Sequence, residues 1–144
     1  MKKFTFPLDR VLVWRRLELD REQATLQRLQ SECNAIAARE TAVRRQRVDS
    51  ERQISNDRYI DSIFLSTLPQ WQNATRLALV SLAAKLVAAD QKVVQQQARF
   101  YEAKRRVELL ERLREKRLDA WKAELSLEEE AFAAEAFLAR TVRH

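Results

Sequence analysis

The sequence contains no glycine among its 144 residues, and its only prolines are Pro7 and Pro69. Sheets need tight turns, and tight turns depend on Gly, Pro, Asn and Asp. The chain is therefore predicted to be all-α, with long helices and very few connections. Aromatic residues make up only 8% of the chain, which favours a narrow apolar seam between helices over a broad core. We expect one elongated domain spanning residues 1–144.

The first half of the chain carries a seven-residue repeat without a helix breaker. The pattern predicts helix one over about residues 8–60, with Pro7 and Asp9 suited to its first turn. Arg15 and Glu22 stand at seam positions near the start, so the seam there is incomplete. The apolar rows are Leu12, Leu19, Leu26 and Cys33, then Leu29, Ile36 and Val43 three residues on.

A second repeat follows Pro69. Ser66 and Thr67 ahead of this proline form a helix-start signal, which predicts a turn over about 61–69 and helix two over about 70–138. After Leu110 the spacing implies a four-residue stutter around Arg114. The apolar and small residues of this seam are Leu79, Leu82, Leu86, Ala89, Val93, Phe100, Ala103, Val107 and Leu110, then Leu118, Trp121, Leu125 and Phe132.

Two such helices joined by one turn predict an antiparallel coiled-coil hairpin with both termini at one end. In that arrangement the charged stretch 107–118 pairs with residues 8–28. The alternation Phe4-Thr5-Phe6 fits either a short strand or an apolar clip on a neighbouring helix. With no sheet to join, we favour the clip.

The charge is unevenly distributed along the chain. The net charge is +6, yet residues 54–98 contain few charged side chains. This middle region is rich in large apolar residues, and such a patch suggests a binding site at the turn end. The alternative is that these residues fold over and cap the hairpin. They are Tyr59, Ile60, Ile63, Phe64, Leu65, Leu68, Trp71 and Leu77.

Several functional classes lack the residues that they need. Without glycine there is no phosphate-binding loop, and one cysteine with one histidine does not make a metal site. The run Glu128–Glu130 spreads around a helix and is interpreted as a solvated face. We therefore predict no enzymatic activity, no cofactor, no metal and no small-molecule substrate. The single cysteine, and the lack of an apolar run long enough for a signal or a membrane span, favour the cytoplasm.

Three basic clusters raise the question of nucleic acid. They lie at residues 44–47, 104–106 and 112–117, but Glu residues are interleaved with them along the same helices. That interleaving limits the field available to phosphates. We expect ordinary helix-surface charge and no nucleic-acid partner.

Two stretches together resemble the FliJ family of flagellar type III export proteins. The first contains Phe4, Phe6, Leu8, Val11, Leu12, Arg15 and Arg16, followed by Glu18 and Glu22. The second runs from Glu108 to Arg117 and is followed by Trp121 and an acidic tail. The similarity extends to chain length, basic charge and the two-helix pattern.

The resemblance implies a coiled coil similar to the central stalk, or γ subunit, of rotary ATPases. It implies docking of the termini-bearing end into the hexameric ring of the export ATPase FliI, contact with the export gate protein FlhA, and an escort role for export chaperones. It also implies a cytoplasmic protein peripherally associated with the inner-membrane export apparatus. The ATPase-facing set would be Leu8, Val11, Leu12, Arg15, Arg16, Leu110, Glu111, Arg112, Leu113 and Lys116.

The gate-binding set carries no family motif and rests on the charge-poor apolar tip alone. It comprises Tyr59, Ile63, Phe64, Trp71 and Leu77. We further expect Arg15, Arg16, Arg112 and Arg114 to be free to meet acidic residues of a channel. Three alternatives remain: a stalk protein of a virulence-type secretion system, a basic coiled coil that binds nucleic acid or anionic membrane, and a homodimeric four-helix arrangement.

Overall fold

The computed structural model describes residues 2–56 and 62–143, and within these ranges the chain is all-α. Helix α1 spans Asp9–Asn56 and helix α2 spans Ser62–Arg143. The two form a helical hairpin, which confirms the predicted fold class. Within the described ranges, neither helix has a stretch long and apolar enough to cross a bilayer.

The start of α1 agrees with the sequence. The Asp9 amide donates to the Phe6 carbonyl at 3.1 Å, and the Leu12 amide donates to the Leu8 carbonyl at 2.9 Å. Asp9 in the first turn places a negative charge at the positive end of the helix.

The predicted turn over 61–69 is wrong for residues 62–69, because α2 begins at Ser62 and continues through Pro69. A proline inside a helix removes one backbone donor and crowds the carbonyl four residues earlier. In the turn before the proline, Ser66 Oγ donates to the Ile63 carbonyl at 2.7 Å, and Thr67 Oγ1 donates to the Phe64 carbonyl at 2.9 Å. Helix α2 also extends five residues past the predicted end at 138.

The contacts divide into two compact units. Unit 1 consists of Met1–Arg21 and Tyr101–His144, and unit 2 consists of Glu22–Phe100. In unit 1 the helices are antiparallel, since Asp9 pairs with Arg114, Arg16 with Glu111 and Glu18 with Arg106. In unit 2, Glu22 meets Gln96 and Cys33 meets Asp90, again in antiparallel order.

The core of unit 1 contains every apolar residue that is buried within the described ranges. These are Phe6, Leu12, Ala103 and Val107. Beyond Val107 one row of half-buried positions contains Leu110, Arg114, Leu118, Trp121 and Leu125, with Leu113 half-buried beside Arg114. Their two successive steps of four confirm the stutter around Arg114. Phe132 was expected to continue this row but is 74% exposed, because no residue of α1 lies beside α2 after Leu125.

Unit 2 has a heptad seam that is half-buried along its length. On α1 the inward-facing residues include Leu26, Leu29, Cys33, Ile36 and Val43, as predicted. On α2 they are Leu79, Leu82, Leu86, Ala89, Val93, Gln96 and Phe100. Steps of three and four on both helices are coiled-coil spacing.

Candidate functional site

The N-terminal segment packs on α2 as an aromatic clip, here defined as Phe4 and Phe6. Phe4 lies against Trp121, with ring centroids 5.9 Å apart and planes tilted by 54°. Phe6 is 4% exposed. Trp121 Nε1 donates to the Lys2 carbonyl at 3.2 Å. The predicted clip is confirmed, and the described part of the segment forms no strand.

Two arginines of α2 lie over the clip. The Arg114 guanidinium is 5.7 Å from the centre of the Phe4 ring, and that of Arg117 is 5.8 Å from the Phe6 ring. A cation over an aromatic face contributes about 0.5–1 kcal/mol at exposed sites. Arg114 also reaches the Asp9 carboxylate at 3.3 Å. The clip, the start of α1 and the charged stretch of α2 therefore form one contiguous cluster.

The cluster corrects the expectation that Arg15, Arg16 and Arg114 are free. Arg15 pairs with Glu18 at 2.9 Å, Arg16 with Glu111 at 3.2 Å, and Arg114 with Asp9. The antiparallel register brings together the Arg16–Glu111 and Arg114–Asp9 pairs. The Arg15–Glu18 pair lies within α1, one helical turn apart. Exposed pairs of this kind contribute at most about 1 kcal/mol each, so a stronger acidic partner could displace them.

Arg112 and Lys116 differ from those three arginines. Both are exposed, and within the described ranges neither forms an ion pair. They are one helical turn apart and therefore share a face of α2. These two cations are the charges of the predicted ATPase-facing set that remain available to a partner.

The apolar members of that set divide by burial. Leu12 is 2% exposed, and Leu8, Leu110 and Leu113 are half-buried, so these residues hold the hairpin together. Val11 is 40% exposed and is accessible to a partner. All ten predicted residues lie in unit 1.

An apolar patch that was not predicted from the sequence lies on the outer face of α1. It is formed by Val13, Trp14 and Leu17. Their side chains are 55%, 55% and 51% exposed. The Arg15 guanidinium lies 4.7 Å from the centre of the Trp14 ring. In the sequence, Val13, Trp14 and Leu17 fall outside both rows of the first heptad repeat. That position could have predicted a patch that faces away from α2.

The predicted gate-binding set lies in unit 2, except that Tyr59 is outside the described residues. Ile63, Phe64 and Leu77 are 70%, 49% and 58% exposed, whereas Trp71 is half-buried. Leu65 beside them is also 49% exposed. Self-capping therefore does not hide Ile63, Phe64 or Leu77 from solvent.

Unit 2 contains a polar layer in its seam. Gln96 is 4% exposed, and its Nε2 donates to the Glu22 backbone carbonyl at 3.1 Å and to the Glu22 carboxylate. Nearby, the Cys33 thiol donates to Asp90 Oδ1 at 2.9 Å. This hydrogen bond, together with burial and the Asp90 charge, raises the pKa of Cys33 above its ordinary value.

The class of protein that these observations define is an all-α helical hairpin. In its unit 1, the aromatic clip packs on α2 among charged side chains of both signs. No protein-family model matches the chain, and no curated protein or solved structure matches it either.

Proposed function

We propose that this chain is a non-enzymatic, stalk-like component of the flagellar type III export apparatus. In this proposal unit 1 docks into the hexameric ring of the export ATPase FliI. The apolar residues near the start of α2 contact the export gate protein FlhA, and the chain escorts export chaperones at the inner-membrane apparatus. The proposal rests on the resemblance of two stretches to the FliJ family.

One structural observation supports it most directly. The two stretches that carry the resemblance, residues 4–16 and 108–117, are about ninety positions apart in sequence and meet in unit 1 through the Arg16–Glu111 and Arg114–Asp9 pairs. A shared docking surface requires the two stretches to meet, and the antiparallel arrangement of unit 1 brings them together. Their exposed cations, Arg112 and Lys116, suit an acidic channel lining.

The end of α2 adds a second feature to unit 1. Every described residue after Leu125 is exposed, and Leu127, Phe132, Phe137 and Leu138 are each more than 60% exposed. Exposed apolar surface of this extent on a single helix indicates a binding site for a partner. A protein ring that surrounds the helix would cover it from several sides.

The test is co-purification with the export ATPase together with measurement of its ATP hydrolysis. The variant Arg112→Ala/Lys116→Ala removes the two cations of the ATPase-facing set that form no ion pair within the described ranges, and it leaves the ion pairs of unit 1 intact. The matched control, Arg45→Ala/Lys85→Ala, removes the same charge from exposed positions of unit 2, where neither side chain forms an ion pair with a described residue.

We expect the first variant to weaken binding by about tenfold, which corresponds to about 1.4 kcal/mol, and to lose stimulation of hydrolysis. We expect the control to behave as wild type, and both variants to keep their helical circular dichroism. Equal binding by all three proteins would rule out the assigned docking surface. Absence of binding by the wild type would rule out the function itself.

A further inference from the structure

Helix α2 carries a second heptad row in unit 2, separate from the seam that packs on α1. Its members are all exposed, and Val80, Val87 and Val94 are 62%, 58% and 64% exposed. The row is here called the outer row and consists of Val80, Ala84, Val87, Gln91, Val94 and Ala98. Steps of four and three over nineteen residues are the spacing that takes another helix by knobs-into-holes packing.

The outer row is almost uncharged, so it cannot select a partner by charge complementarity. The residues that flank it are Ser81, Ala83, Ala88, Asp90, Gln95 and Gln97, and only Asp90 is charged. Asp90 accepts the hydrogen bond from Cys33, which belongs to α1. Lys85 and Lys92 line the groove beside Leu29 and Ile36 of α1. An occupant must therefore be a helix with an equally uncharged face.

The outer row complements itself when it is reversed. If the same stretch runs antiparallel and centred near residue 89, Val80 faces Ala98 and Ala84 faces Val94. The central Val87 then faces Gln91. On either side of the centre, each pair of facing residues would then consist of one valine and one alanine. Pairing a large with a small residue is the condition for even packing across facing positions. A parallel pairing would instead place identical residues opposite each other, which gives Val–Val, Ala–Ala and Gln–Gln layers of unequal width.

We propose that the outer row of α2 binds the outer row of a second copy of this chain, antiparallel and centred near residue 89. A two-fold interface of this kind requires a surface that complements itself, and the outer row meets that requirement. The inference goes beyond the proposed function, because the outer row lies in unit 2 and includes none of the residues assigned to the ATPase.

The available area sets the expected strength. Nineteen helical residues extend about 27 Å, and half the circumference of a helix 10–12 Å across gives roughly 450 Å² per chain. Roughly 900 Å² in total lies just below the range of stable specific interfaces. The dimer should therefore be weak, with a monomer–dimer equilibrium that depends on protein concentration.

Sedimentation of the full chain over a series of concentrations tests the interface. We expect wild type to shift from monomer to dimer as concentration rises. Val87→Glu, which brings a charge to the centre of the outer row, should remain monomeric at every concentration. The matched control Gln72→Glu introduces the same charge at an exposed position outside the row and should dimerise as wild type does. Circular dichroism establishes that both variants keep their helices.

Disulfide formation tests the direction of pairing, in a Cys33→Ser background. Equal amounts of Ala84→Cys and Val94→Cys chains are mixed and oxidised. The antiparallel pairing predicts disulfides between the two different chains, whereas a parallel pairing predicts disulfides between identical chains. A wild type that is monomeric at all concentrations, a dimer that Val87→Glu does not affect, or disulfides between identical chains would each overturn the proposal.

Discussion

At the residue scale, the most informative side chain is Gln96. It is the one polar side chain that is buried within the described ranges, and it lies at a seam position where most coiled coils place an apolar residue. Its amide nitrogen donates both of its hydrogen bonds to Glu22. A buried polar layer of this kind lowers stability relative to apolar packing but disfavours alternative registers. Glu22, which interrupts the apolar row in the sequence, is thus the partner that fixes the pairing of unit 2.

The Cys33–Asp90 contact gives a prediction at the same scale. The thiolate is the reactive form of cysteine, and the Asp90 carboxylate disfavours it by accepting the thiol proton and by its negative charge, which together raise the pKa of Cys33. Asp90→Asn removes that charge. We expect the variant to be alkylated by iodoacetamide faster than wild type at pH values below the raised pKa, and the pH profile of the rate to move to lower pH.

The sign of the pH dependence is fixed by the direction of the shift. Because the folded chain holds the thiol proton more tightly than the unfolded chain, this contact stabilises the fold at neutral pH and loses its effect as pH rises through the pKa of Cys33. Asp119→Asn, at an exposed position in unit 1, is the control. Identical alkylation profiles for wild type and Asp90→Asn would show that the contact does not act on the thiol.

At the element scale, α2 differs most from expectation at Pro69. The sequence places a strong helix-start signal there, and local propensity alone favours a boundary. The structure instead extends α2 back to Ser62. Hydroxyl groups of Ser66 and Thr67 donate to carbonyls three residues earlier, and hydroxyl bonding of this kind tends to bend a helix.

Pro69→Ala tests whether the helix is continuous through this position. Alanine restores the backbone donor and removes the ring from the preceding turn, so we expect stability to rise by about 1–3 kcal/mol. Urea unfolding followed by circular dichroism measures the change. Pro7→Ala, ahead of α1, should change stability by less than about 1 kcal/mol. A neutral or destabilising effect of Pro69→Ala would instead indicate that the proline marks a helix boundary.

At the scale of the whole molecule, the net charge of +6 is a poor guide to what the surface attracts. In unit 1, Arg16, Arg106 and Arg114 each reach a carboxylate on the facing helix. Pairing across the helices neutralises these cations locally, so the excess positive charge is dispersed. This arrangement disfavours the alternative of a nucleic-acid-binding coiled coil, which needs cations on one open face.

The corresponding prediction concerns random duplex DNA. At about 0.15 M salt we expect no mobility shift with the wild-type chain, because its cations are interleaved with carboxylates and do not form one open basic face for phosphates. Glu18→Gln/Glu111→Gln frees two arginines and raises the net charge from +6 to +8, and it should bind more tightly at low salt. Strong wild-type binding that falls steeply as salt rises would support the nucleic-acid alternative instead.

Much of the fold could be predicted because helical periodicity depends only on residues that are close together in the sequence. The heptad rows of both helices, the stutter at Arg114 and the contact of the Phe4–Phe6 clip with α2 follow from spacing and from the lack of glycine. The composition of the cluster around the aromatic clip was less predictable. Arg16 and Arg114 occur in the sequence as unpaired basic residues, and their partners, Glu111 and Asp9, lie about a hundred positions away.

What the sequence determined by itself is the all-α class and the positions that face inward, because an apolar side chain every three or four residues can be buried only along one helical stripe. The tertiary structure alone decided which charges are neutralised, that Gln96 and Glu22 share a layer, and that α2 runs through Pro69. Each of these depends on atoms distant in sequence or on packing that outweighs local preference. The same distinction applies to the outer row of α2. Its periodicity can be recognised in the sequence, but only the structure shows that the row is exposed to solvent.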